Sequence, residues 1–162
     1  MRSQRASIDK IEQVYRTSAS GFLRLALATT GNIERARDAL QEGFAGAIRS
    51  RDTFRGTGSI EGWLARCVLN AARDRCSPAD LNGDAQSTVD GFEPSNDALR
   101  TVVREAIMQL PRRQREAVFL RYYLDLDYRS IGEALGMEKG TVSATLHAAK
   151  AALAEVLQEV ER

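Results

Sequence analysis

One histidine (His147) and two cysteines (Cys67, Cys76) are all the imidazole and thiol metal ligands in 162 residues. They cannot complete a tetrahedral zinc set. The cysteines lie nine residues apart, and on one helix, at about 100° per residue, they point in opposite directions. A local disulfide or two-thiol clip is excluded, and the thiols read as buried or idle in a reducing compartment. No run of roughly 18 apolar residues is present to span a bilayer, and the opening MRSQRASIDK has no apolar core for a signal peptide. These absences predict a cytoplasmic protein without a membrane segment of its own. There is no glycine-rich phosphate loop, nucleophile–base pairing or metal cluster, so neither an enzyme nor a cofactor is expected.

Proline is scarce too, three in all, and two of them (Pro78, Pro94) fall in one stretch, SPADLNGDAQSTVDGFEPSND. That stretch, residues 77–97, has five acids and no base, for a charge of −5. Residues 1–76 carry 13 Lys/Arg against 8 Asp/Glu, and residues 98–162 carry 10 against 9. A near-neutral total thus conceals a basic block, an acidic spacer and a balanced block. Such asymmetry points to a polyanionic partner. With little apolar surface to offset chain entropy, 77–97 reads as a flexible linker between two separately folding units.

Both units read as helical, and no stretch alternates convincingly as a strand. Apolar residues recur at helical spacing through Ile11, Val14, Phe22, Leu25 and Ala26, until Gly31-Asn32 stops the run. A second run places Ala36, Leu40, Phe44 and Ala47 on one side. After the glycine-broken RDTFRGTGS, Ser59 is placed to cap a third helix carrying Trp63, Leu64, Cys67 and Val68. Beyond the spacer, helices are expected up to Pro111, from Arg112 through Tyr122, from a cap at Asp127 to Gly136, and from about Lys139 onward. The last two, joined by a tight glycine turn, have the form of a helix-turn-helix. The fold class is all-α: two small helical domains, 1–76 and 98–162, joined by the acidic linker.

With these elements placed, the chain resembles the two-domain, extracytoplasmic-function RNA polymerase sigma factors. The first domain's signature is carried by RDALQEGFAGAIRSRDTFRGTGSIEGWLARCVLNAARDR, the second's by LPRRQREAVFLRYY, YRSIGEALG and GTVSATLHAAKAAL. The resemblance covers roughly residues 8–76 and 98–155. It implies an alternative sigma factor that directs core RNA polymerase to a promoter class and assists initiation. Its partners would be the clamp helices of the largest polymerase subunit, the flap and promoter DNA, with an anti-sigma factor as a candidate regulator. The competing reading is a degenerate sigma-like module that binds polymerase or a regulator without promoter activity.

The resemblance assigns polymerase binding to Asp38, Leu40, Gln41, Glu42 and Phe44; residue chemistry alone leaves open that Leu40 and Phe44 are core. It assigns the −10 element, opened and read as single strand, to Phe54, Arg55, Ser59, Trp63, Arg66, Asn70, Arg73 and Arg75. A flipped base needs a shaped pocket with stacking walls, and the strand needs cations along its path. Arg66, Asn70 and Arg73 recur at helical spacing and should share a face, whereas a single Trp in a small helical domain, such as Trp63, is more often a core anchor. It further implies that the acidic linker threads the polymerase cleft, imitating nucleic acid.

For the −35 element, the resemblance points to Lys139, Thr141, Ser143, Thr145, His147 and Lys150 on a helix in the major groove. Arg112, Arg113, Arg115 and Arg129 would grip phosphates. Family members usually carry Lys or Arg where this chain has Ser143, Thr145 and Ala148, and Ser where it has Glu138. A weaker electrostatic hold on duplex DNA follows, and a protein-binding role for this helix is the alternative.

Overall fold

The computed structural model describes residues 5–77 and 97–162. The expected linker lies almost wholly outside the described residues. Those residues form seven α-helices and one 3₁₀ turn, with no strand among them. No described helix is long and apolar enough to cross a membrane.

The first unit is a three-helix layer. Helix α1 spans Ile8–Thr30, starts where the Ser7 side chain accepts from the Lys10 amide, and ends at Gly31, whose φ of 65° is left-handed. The stop signal Gly31-Asn32 divides its work: Asn32 opens α2, Ile33–Arg49, by accepting from the Arg35 amide at 3.0 Å. A 3₁₀ turn at Arg51–Thr53 and the 54–59 loop lead to α3, Ile60–Asp74, which Ser59 caps through the Gly62 amide. Phe22, Leu25, Leu64, Val68 and Leu69 are fully buried where the three helices meet. Phe44 meets both Tyr15 and Phe22 edge-on, with ring centroids 5.0 and 5.1 Å away.

The second unit comprises α4 (Ala98–Gln109), α5 (Arg112–Tyr122), α6 (Tyr128–Leu135) and α7 (Lys139–Glu161). Asp127 caps α6 by accepting from the Ser130 amide at 2.8 Å. Gly136, φ 67°, closes it in the left-handed conformation that a side chain rarely adopts. The helix-turn-helix is therefore α6, the turn 136–138 and α7, with Ile131, Leu135, Val142 and Leu146 in its core.

The two units, expected to fold separately, are in close contact: α5 packs on α1 and α6 on α3. Their buried side chains form one contiguous cluster. Three glycines of the first unit allow the approach. A Cβ at Gly21 would stand 2.8 Å from a Leu124 methyl, one at Gly62 3.1 Å from Ser130 Cβ, and one at Gly58 2.0 Å from a Glu133 carboxylate oxygen.

Candidate nucleic-acid and polymerase interfaces

On α2 the five expected polymerase-binding residues separate by face. Asp38, Gln41 and Glu42 are exposed, whereas Leu40 and Phe44 belong to the hydrophobic core. The structure corrects the expectation for those two: at helical spacing they point inward, and the outward face is polar. Glu42 pairs with Arg49 on the same helix.

Where the −10 site is expected, the 54–59 loop and the outer face of α3 enclose a cavity of about 600 Å³. Phe54, Arg55, Trp63, Arg66 and Asn70 line it. Phe54 and Trp63 lie with centroids 5.3 Å apart, tilted, so the half-buried Trp63 is at once packed and part of the wall. An aromatic wall beside an exposed guanidinium and an amide suits stacking and hydrogen bonding to an unpaired base. Cys67 also lines the cavity, and burial pushes its thiol above the ordinary range while Arg66 pulls it down.

Arg73 and Arg75 do not join this wall: Arg66, Asn70 and Arg73 share a face of α3 by their spacing, but of the three only Arg66 and Asn70 line the cavity. Arg75 Nη1 donates to the Ala71 carbonyl at 3.0 Å, closing the C-terminus of its own helix. Arg73 turns to the other unit, where its Nη2 lies 3.1 Å from Oε2 of the fully buried Glu116. The Thr29 hydroxyl is 3.0 Å from the other Glu116 oxygen. Ser59, besides capping α3, donates to the Ser130 hydroxyl at 2.8 Å. Backbone and side-chain hydrogen bonds from Ser130 hold the Asp127 carboxyl below the usual range. Glu133 of α6 completes the cavity lining, and Arg129 donates to the Thr57 carbonyl at 2.8 Å.

Glu116, Thr29, Ser130 and Glu133 were not singled out by sequence. The one signal was Glu116 itself, an acid directly ahead of the apolar run Ala117, Val118, Phe119, Leu120, all of which are buried.

On the helix-turn-helix, α7 presents Lys139, Thr141, Ser143, His147 and Lys150 to solvent, with Thr145 half-buried and donating to the Thr141 carbonyl at 2.7 Å. Glu138 precedes α7 but makes no side-chain cap. A hydrogen bond that the Lys150 ammonium donates to the Tyr122 hydroxyl oxygen raises the Lys150 pKa above its ordinary value. The arginines ahead of this helix are largely committed to the fold. Arg113 donates to the Leu135 carbonyl, and Arg115, only 7% exposed, donates to Met108. Burial lowers the Arg115 pKa, opposed by the neighbouring Glu116. A phosphate contact by Arg115, expected from sequence, is not available in this arrangement because its charge lies inside the protein. Arg112 is half-buried with one terminal nitrogen unpartnered, and Arg129 is held to the first unit.

Two family models match the chain. Sigma-70 region 2 matches residues 14–80 and Sigma-70, region 4 matches residues 100–153. The chain is similar to the ECF RNA polymerase sigma factor SigM of Mycobacterium tuberculosis, 33% identical over 154 residues, covering 90% of this chain and 76% of the relative. It is also similar to the RNA polymerase sigma factor YlaC of Bacillus subtilis, at 30% identity over 155 residues and 88% of either chain. Its fold is like that of the sigma factor RpoE solved with the anti-sigma factor NepR from Bartonella quintana, with TM-score 0.73, 19% identity, and 93% and 98% of the two chains covered. CnrH solved with the cytosolic domain of CnrY has the same fold, with TM-score 0.68, 18% identity and 95% and 91% coverage.

Proposed function

The chain belongs to the extracytoplasmic-function RNA polymerase sigma factors, and from that premise we propose how its residues divide the work. It directs core RNA polymerase to a promoter class, binding polymerase and promoter DNA. The observation that carries this reading is the match to both sigma regions, in order, in one chain.

Core polymerase contacts the exposed acidic stripe of α2, through Asp38, Gln41 and Glu42. Leu40 and Phe44 serve it indirectly, by holding α2 on its core. Acids on a polar rim steer association with a basic partner surface more than they add affinity. The partner surfaces are the clamp helices for α2 and the flap for the second unit.

At the −10 element, the cavity of Phe54, Arg55, Trp63, Arg66 and Asn70 receives an unpaired base, supported by its volume and its aromatic and cationic lining. Ser59 orients this wall as the α3 cap. Arg73 and Arg75 reach the strand only when freed from their protein partners.

At the −35 element, α7 enters the major groove with Lys139, Thr141, Ser143, Thr145, His147 and Lys150. Hydroxyl and methyl contacts dominate, and few cations are left for phosphates. Arg113 and Arg115 instead brace the helices that present α7. An anti-sigma factor is the proposed regulator, by analogy with the complexes in which two proteins of like fold were solved.

The test is run-off transcription from genomic fragments with core polymerase. The wild-type chain should produce discrete promoter-dependent transcripts, and Arg66→Ala with Asn70→Ala should abolish them while core binding persists. A chain that binds core polymerase but starts no transcript would overturn the promoter reading.

A further inference from the structure

We infer that the groove between α4 and α5, at the edge of α1, is a binding site for an amphipathic anion, an unbranched fatty carboxylate taken up from solution. The groove shares no lining residue with the −10 cavity and contains none of the α7 side chains assigned to duplex DNA.

Its floor follows from helical spacing. Leu99, Val103 and Ile107 recur every four residues and form one stripe of α4. Phe119 and Tyr123, also four apart, make the facing wall, their rings stacked with centroids 4.8 Å apart. The space between them is a cavity of about 510 Å³, a size that suits a small apolar ligand. From Leu99 to Ile107 the stripe runs about 12 Å along the helix axis, so an extended chain fits it better than a compact ring. Ile107 is 7% exposed and Leu99 55%, and the floor therefore rises from buried to open along α4. Tyr123 is exposed as well. A contiguous apolar surface left open and rimmed by polar groups marks a binding site.

The rim is cationic. Arg100 and Arg104 border the cavity from α4, and Arg24 reaches it from α1. Arg24 lies over the Tyr123 ring, with Cζ 4.9 Å from the centroid. A cation–π contact holds the guanidinium in place without giving its N–H groups an acceptor, and no described residue accepts from them. The one acid, Asp97, is engaged at the start of α4: Oδ1 accepts from the Leu99 amide at 3.1 Å and Oδ2 lies 3.7 Å from Arg100. Three guanidinium groups against one carboxylate leave the rim net positive over an apolar floor. Guanidinium groups recognise a carboxylate through charge-assisted N–H···O bonds. An alkyl floor and an aromatic wall favour a hydrocarbon tail, whereas sugar hydroxyls would lose water there without a replacement partner. The head of the ligand lies among the arginines and its tail along the Leu99–Ile107 stripe. Because Arg24 belongs to the first unit and the stripe to the second, the bound anion touches both.

Calorimetric titration of the full chain with decanoate, kept below its micelle concentration, tests this. A saturable one-to-one isotherm is expected, and decanoate should raise the melting temperature, as any ligand of the folded state alone must. Each methylene removed from the tail should weaken binding about fourfold, so octanoate should bind about fifteenfold more weakly. Decanol, with the same tail and no charge, should bind about tenfold more weakly than decanoate. Arg24→Gln with Arg100→Gln should lose about tenfold in affinity for decanoate and little for decanol. Leu99→Glu, at an exposed position, sets a like charge at the open end and should weaken decanoate while leaving the helicity of the free chain unchanged. Neither variant touches the surfaces proposed for DNA or polymerase. No saturable isotherm, decanol binding as tightly as decanoate, or wild-type affinity for decanoate in both variants would overturn the site.

Discussion

A Cβ placed on Gly43 of α2 would stand 2.7 Å from the Cα of Val68 on α3, closer than packed atoms come. The two helices cross with backbone against backbone at that point. The outward side of the same turn of α2 carries Gln41 and Glu42, so a steric requirement inside fixes where the acidic stripe faces outside.

Gly43→Ala should therefore destabilise the protein by about 1–3 kcal/mol, the usual cost of overpacking, despite alanine's better helix propensity. Thermal unfolding followed by circular dichroism measures it. An unchanged or raised melting temperature would mean that α2 and α3 can part without cost.

Asp38→Lys combined with Glu42→Lys should weaken association with core polymerase by about tenfold, or roughly 1.4 kcal/mol, and leave helicity intact. Leu40→Ala should act differently, costing about 2–5 kcal/mol of folding stability as a cavity mutation. Competition with another sigma factor for core enzyme, with stability measured in parallel, separates the two effects. Full competition by the charge-reversed chain would remove α2 from the interface.

Thr145→Arg with Ala148→Arg should steepen the salt dependence of duplex binding, adding up to about 2 to the log–log slope, near 0.9 for each new phosphate contact. Ala148 is exposed and Thr145 half-buried, so the gain should show in the full chain without opening of the units. Anisotropy across a salt series reads it. An unaltered slope would place α7 away from the groove.

Asp127, exposed at the α6 N-cap, has its pKa lowered by hydrogen bonds from Ser130. A carboxyl with a folded pKa below its unfolded one, about 3.9, contributes its full stability above that unfolded value. The contribution is lost as pH falls through the lower, folded value. Asp127→Ala should cost about 1 kcal/mol at neutral pH, an ordinary N-cap loss. In Asp127→Asn the cap persists and this part of the acid dependence disappears. Denaturant unfolding between pH 7 and 2 is the measurement, and parallel pH profiles for wild type and Asp127→Asn would contradict it.

The sequence by itself determined the helices and their ends. Ser7, Asn32, Ser59, Asp97 and Asp127 each cap the helix that follows, and Gly31 and Gly136 each close one, because capping is local chemistry within a few residues of chain. Of the eight residues that the resemblance assigns to the −10 element, Phe54, Arg55, Trp63, Arg66 and Asn70 line the cavity beside α3, whereas Ser59, Arg73 and Arg75 do not. The sequence could not determine which member of a charged set faces a partner and which faces the protein. Arg66 and Arg73 read alike in sequence, seven residues apart on one helix, yet one borders an open cavity and the other meets Glu116 across the units. Arg115 likewise went to a helix end rather than a phosphate. Those outcomes depend on the packing of α5 and α6 against α1 and α3. That packing joins residues such as Thr29 and Glu116, 87 positions apart, and rests on the room left by Gly21, Gly58 and Gly62. No local pattern encodes a contact between surfaces so distant in the chain; only the tertiary structure brings the acid to the arginine.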